Sequence, residues 1–85
     1  MEKTKLHEHE MVALKTDIRS KQFLTGKPIL LRQGQVGTVI EILGNGEAYE
    51  VEFADLYGQA YAMLAVKLEN LMVLRYDPVE LLIAS

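Results

Sequence analysis

This chain has no cysteine. That single absence removes disulfides, thiolate nucleophiles and cysteine-ligated zinc. It is compatible with a reducing compartment, and a cytoplasmic location is expected. Long apolar runs are missing too. None approaches the roughly 20 residues that cross a bilayer as a helix. The opening residues, MEKTKLHEHE, are charged and hold no apolar core of signal-peptide length. No membrane partner is expected.

Catalytic and ligand-binding signatures are equally sparse. His7-Glu8-His9-Glu10 is the one metal-like cluster, and two histidines at i, i+2 could reach one ion from a strand face. With no third histidine and no cysteine the set is incomplete, so no metal is expected. Gly34-Gln35-Val36-Gly37 and Gly44-Asn45-Gly46 lack the spacing of a phosphate loop and precede no helical pattern. Glu41, Glu47, Glu50 and Glu52 flank or line strands and read as a solubilising acidic face. No nucleophile–base pair can be assembled, so neither an enzymatic activity nor a cofactor is expected.

Bases become rare beyond residue 32. The first 32 residues hold seven bases against four acids, and the remainder two bases against eight acids. The strand-rich part is therefore acidic. It would repel a polyanion, which makes nucleic acid an unlikely partner. Lys15, Arg19, Lys21, Lys27 and Arg32 could still form a local basic patch, which keeps a nucleic-acid-binding role as the alternative.

What is present is a β pattern on 85 residues, a length suited to one domain with a thin core. Met11 to Leu14 opens the first strand and Thr16-Asp17 closes it. Residues 18–33 contain two apolar clusters, Phe23-Leu24 and Ile29-Leu30-Leu31, separated by Gly26-Lys27-Pro28. This stretch reads as an irregular loop folded back over one end of the domain. A second strand covers about Gln35 to Leu43, with a bulge or bend expected at Gly37 so that Val36 and Val39 both point inward. Asn45-Gly46 is a type I′ hairpin signal. Ala48 to Ala54 then alternates cleanly, placing Tyr49, Val51 and Phe53 in the core. A fourth strand over Gln59 to Val66, a 3₁₀ turn near Leu68 and a short strand from Leu71 follow. Five short strands with tight turns suit a small closed barrel.

This layout resembles the SH3-like barrel, with GQVGTVIEI and YEVEF as a glycine-bearing strand pair of the KOW type. More closely, VALKTDI, GQVGTVIEILGNGEAYEVEFAD, GQAYAML and LENLMVL resemble the bacterial small-domain family known as domain of unknown function 4926. The similarity covers about residues 11–75. It implies an all-β, five-stranded SH3-like barrel and brings no activity or catalytic residue. The expected organisation is a flexible arm over 1–9, a barrel over 10–76 and an apolar tail over 77–85.

An apolar share of 49% is generous for so small a body, and some of that surface is expected to meet another chain. Tyr57, Tyr61 and Tyr76 are the aromatics least committed to a core. Tyr61 and Met63 fall on the strand face opposite Ala62, Leu64 and Val66. Leu81, Leu82 and Ile83 follow Pro78, after the barrel is complete. Tyr57, Tyr61, Met63, Tyr76, Leu81, Leu82 and Ile83 are the candidate interaction residues. The expected role is a protein-interaction module that forms a homodimer. Pairing with another protein, in an antitoxin-like or immunity-like way, is also open to such a domain.

Overall fold

The computed structural model describes residues 6–75. The described residues are all-β. Among them seven strands run in order: β1 (Met11–Leu14), β2 (Ile18–Lys21), β3 (Pro28–Leu31), β4 (Val36–Leu43), β5 (Ala48–Ala54), β6 (Ala60–Lys67) and β7 (Leu71–Val73). A 3₁₀ turn over Leu68–Asn70 precedes β7. Five strands form one antiparallel sheet in the order β6-β5-β4-β1-β7, and β2 and β3 form a separate hairpin. Among the described residues the expected closed barrel is thus not formed. Among the described residues, β6 and β7 end the sheet and do not pair with each other.

β5 follows its alternation. Tyr49, Val51 and Phe53 are completely buried, and Glu50 and Glu52 lie on the other face. Paired against β5, β6 turns Ala62, Leu64 and Val66 toward the same core. Each fully buried large apolar side chain contributes on the order of 1.5–3 kcal/mol of transfer free energy.

β4 corrects the sequence reading. Its bulge lies between Val39 and Glu41, at Ile40, and Val36 is exposed. The extra residue switches the alternation. Gly37 and Val39 face inward before it, and Ile42, opposite Tyr49, packs on the core after it. Gly37 has a different task. A Cβ there would lie 2.6 Å from Val51 Cγ1, 2.9 Å from the Glu52 carbonyl oxygen and 2.9 Å from Phe53 Cε1. Glycine lets its neighbour β5 and the Val51 and Phe53 side chains lie close against β4, beside Thr38, which pairs with β1 on one side and β5 on the other.

Residues 18–33 are not an irregular loop. Ile18 pairs with Leu31, Arg19 with Leu30, Ser20 with Ile29 and Lys21 with Pro28. Ile18, Ile29 and Leu31 pack into or against the core, as expected of a segment folded over one end. Phe23, Leu24 and Leu30 do not. They are exposed.

Residues 6–9, read as part of a flexible arm, are tied to the sheet, with Leu6 buried and His7, Glu8 and His9 exposed. Leu6 is buried in the core, and its amide donates to the Tyr49 hydroxyl at 3.3 Å. The His9 amide donates to the Val39 carbonyl and the Val39 amide to the Glu10 carbonyl, at 2.7 and 2.9 Å. The Glu10 carboxylate accepts the His7 amide at 2.6 Å. The His-Glu-His-Glu segment therefore forms a turn that brings Leu6 to Tyr49.

The β4–β5 connection also differs from the two-residue type I′ turn. It spans four residues, 44–47, with Gly44 at φ 60° and Gly46 at φ 88°. Asn45 does not take a positive φ. Gly46→Val places a β-branched residue in the left-handed region and is expected to cost about 1 kcal/mol or more. Urea unfolding checks this. An unchanged midpoint would remove the turn's role. Among the described residues no helix is long and apolar enough to cross a membrane.

Candidate functional site

The feature that stands out is a group of large apolar side chains left in solvent at the tips of two loops. Leu56 is 100% exposed and Tyr57 94%, on the turn between β5 and β6. Leu24 is 78% exposed and Phe23 55%, on the loop between β2 and β3. Burying such side chains is the ordinary outcome, and these four are left in solvent.

Local chemistry holds both tips in place. In the β5–β6 turn the Asp55 carboxylate accepts the Tyr57 amide at 2.9 Å and the Gln59 amide at 3.0 Å. The Gly58 amide donates to the Asp55 carbonyl, and Gly58 takes φ 83°. This is an Asx-type turn, which Asp favours because its short side chain satisfies amides two residues on. In the β2–β3 loop the Gln22 amide donates to the Lys27 carbonyl at 2.7 Å and the Gly26 amide to the Gln22 carbonyl at 2.9 Å. Thr25 Oγ1 bonds the Gln22 side chain and accepts the Lys27 amide.

A backbone bond joins the β2–β3 loop to β6, the strand that follows the β5–β6 turn. The Phe23 amide donates to the Tyr61 carbonyl at 2.7 Å, laying the β2–β3 loop beside the start of β6. Lys21 and Lys27 flank Phe23 and Leu24 and are exposed. The surface is therefore apolar at its tip and basic along its hairpin.

The sequence-predicted residues divide. Tyr57 is fully displayed. Tyr61 is half-buried against the core, and its hydroxyl accepts a hydrogen bond from the Gln35 side-chain amide. Met63 is half-buried and faces outward, opposite Glu52. Tyr76, Leu81, Leu82 and Ile83 lie outside the described residues. Phe23, Leu24 and Leu56 were missed, because apolar residues are assigned to a core by default. Their signal is position: Leu56 sits between Asp55 and Gly58, and Phe23-Leu24 directly precede Thr25-Gly26.

The acidic residues form a face and no described metal centre. Glu41 stands directly opposite Glu50 in the β4–β5 ladder. Among the described residues no three metal-ligating side chains come together. Lys15, Arg19, Lys21, Lys27 and Arg32, the residues that could form a basic patch, are each exposed, and Arg32 pairs with Asp17 at 3.6 Å.

Compared with known families, residues 8–73 match the model of Domain of unknown function (DUF4926). The chain belongs to this family. The family's span runs from the His7–Glu10 turn to the end of β7 and includes both exposed loops, while Leu6 lies just before it. No curated protein and no solved structure matches the chain.

Proposed function

We infer that this member of the family is a non-catalytic protein-interaction module that self-associates through its exposed apolar end. The observation that carries this reading is the joint display of Phe23, Leu24, Leu56 and Tyr57 on two hydrogen-bonded loops. Loops held in place before binding lose little conformational entropy on contact, so more of the transfer energy becomes affinity. If some 400 Å² of apolar surface per chain were covered, about 10 kcal/mol of gross transfer energy would oppose the cost of association. The sheet order, the hairpin between β1 and β4, and the 3₁₀ turn before β7 support an SH3-like arrangement. A second protein in an antitoxin-like or immunity-like pairing would dock at the same end. The absence of cysteine fits a cytoplasmic setting.

Sedimentation equilibrium tests this. The wild-type chain is expected to be dimeric at micromolar concentration. A Phe23→Ser, Leu24→Ser double variant is expected to weaken the dimer at least roughly tenfold, a loss of about 1.4 kcal/mol. Both positions are exposed, so the thermal midpoint should stay near the wild-type value. A double variant that associates as tightly as the wild type would contradict the reading.

The nucleic-acid reading keeps one supporting observation. Exposed Phe23 lies between Lys21 and Lys27, which puts an aromatic among bases. Fluorescence anisotropy with single-stranded RNA at low salt separates the two. Saturable binding that falls steeply with salt would favour nucleic acid.

A further inference from the structure

Residues 6–10 form a short strap that extends the β1–β4 ladder backward. Met11 pairs with Thr38, and His9 and Glu10 then share Val39 between them. The Val39 carbonyl accepts the His9 amide at 2.7 Å, and the Val39 amide donates to the Glu10 carbonyl at 2.9 Å. Two residues facing one make a bulge. The first of them, His9, takes φ 72°, and among the described residues it is the one non-glycine in the left-handed region. Glycine ordinarily fills such a position, because a Cβ there crowds the following carbonyl oxygen. The closed strap therefore carries backbone strain at its hinge.

The contacts that offset this strain are few. Of residues 6–10 only Leu6 is buried, Glu10 is half-buried and the other three are exposed. The Leu6 amide reaches the Tyr49 hydroxyl at 3.3 Å, longer than most N–H···O bonds. The two bonds between His7 and Glu10 lie within the strap, so they shape its turn and do not fasten it to the sheet. β5, by contrast, is paired on both sides and buries Tyr49, Val51 and Phe53 completely. A segment with one buried apolar anchor opens at a lower free energy than such a strand. Its release would bare the Tyr49 hydroxyl and both backbone groups of Val39, which are committed to the strap.

We propose that residues 6–10 are a latch that opens as one unit while the five-stranded sheet stays folded, with His9 as its strained hinge. The latch uses none of the four exposed loop-tip residues, so it stands apart from the self-association inferred above.

Residue-resolved native-state amide exchange on the full chain tests it. The amides of Leu6, His9 and Val39 should share one protection factor, at least roughly tenfold below that of Val51. Val39 is decisive. It is completely buried in the central strand of the sheet. Burial alone predicts that its amide exchanges as slowly as Val51, whereas the latch makes it exchange with Leu6. His9→Gly relieves the hinge and should slow exchange at Leu6 and Val39 by roughly threefold, and His9→Val should speed it by at least as much. Circular dichroism melts establish that both variants are folded. If His9→Val fails to fold, the wild-type protection factors and His9→Gly still decide. A Val39 amide as protected as Val51 would overturn the latch. So would different protection at Leu6 and Val39, which means fraying residue by residue. Exchange unchanged by His9→Gly would overturn the strained hinge.

Discussion

Gly37→Ala is expected to destabilise the domain by roughly 2–3 kcal/mol, the upper part of the range for overpacking a closed core. One methyl group is added, but it has nowhere to go. Its three nearest neighbours would be a core valine methyl, a backbone carbonyl oxygen and the edge of the Phe53 ring, all within 3 Å. The carbonyl belongs to Glu52 in the middle of β5 and cannot withdraw without breaking the ladder on both sides. Gly37 has no positive φ, so this cost is steric alone. For a domain of this size it corresponds to a fall in thermal midpoint on the order of 10 °C or more. Gly34→Ala makes the contrast. Gly34 takes φ 91° but has nothing within 4 Å of the added carbon, so its cost of about 1 kcal/mol is conformational. Equal melting points for the two variants would contradict the close approach of β4 and β5.

Tyr49→Ala should have the largest effect, about 3–5 kcal/mol, the range for deleting a buried aromatic ring. Tyr49 is completely buried, stands opposite Ile42 and Val66, and takes the Leu6 amide on its hydroxyl. Small domains hold only about 5–15 kcal/mol in total, so this variant loses a large share of its stability, and its thermal midpoint should fall by more than about 10 °C. Tyr49→Phe keeps the ring and loses one hydrogen bond, with an expected cost of about 1 kcal/mol. Its effect should also be local. Amide exchange at Leu6 should accelerate more than exchange in β5. Urea titration with residue-resolved exchange reads both variants. A Tyr49→Phe change spread evenly over the sheet would contradict the docking of residues 6–10 on this hydroxyl.

Much of the fold was legible in the sequence where strands have one wet face. In β5, alternation alone places Tyr49, Val51 and Phe53 inside. β4 was harder because its bulge at Ile40 carries no glycine, whereas Gly37, which resembles a bulge marker, answers the close approach of the neighbouring β5. The β2–β3 hairpin was hidden by its shortness. Each strand has four residues, and Gly26 and Pro28 read as breakers when they close a turn. Leu6 was invisible because a lone apolar residue in a charged run has no periodicity, and only tertiary contact shows that it is core. Whether five strands close into a barrel depends on pairing between distant segments, which no local pattern encodes. In the candidate site, Tyr57 was legible as an aromatic not committed to a core. Phe23, Leu24 and Leu56 were not, because composition cannot distinguish an apolar residue held outward from one turned inward.

The central claim, that the exposed end of this domain binds a second copy of itself, is tested most directly by amide spectra of the isotope-labelled chain over a dilution series. The account predicts concentration-dependent shifts confined to the β2–β3 hairpin and the turn between β5 and β6, with the core amides of Val12, Val39 and Val51 unmoved. Spectra that do not change from the lowest to the highest concentration, or shifts confined to residues away from these loops, would contradict it.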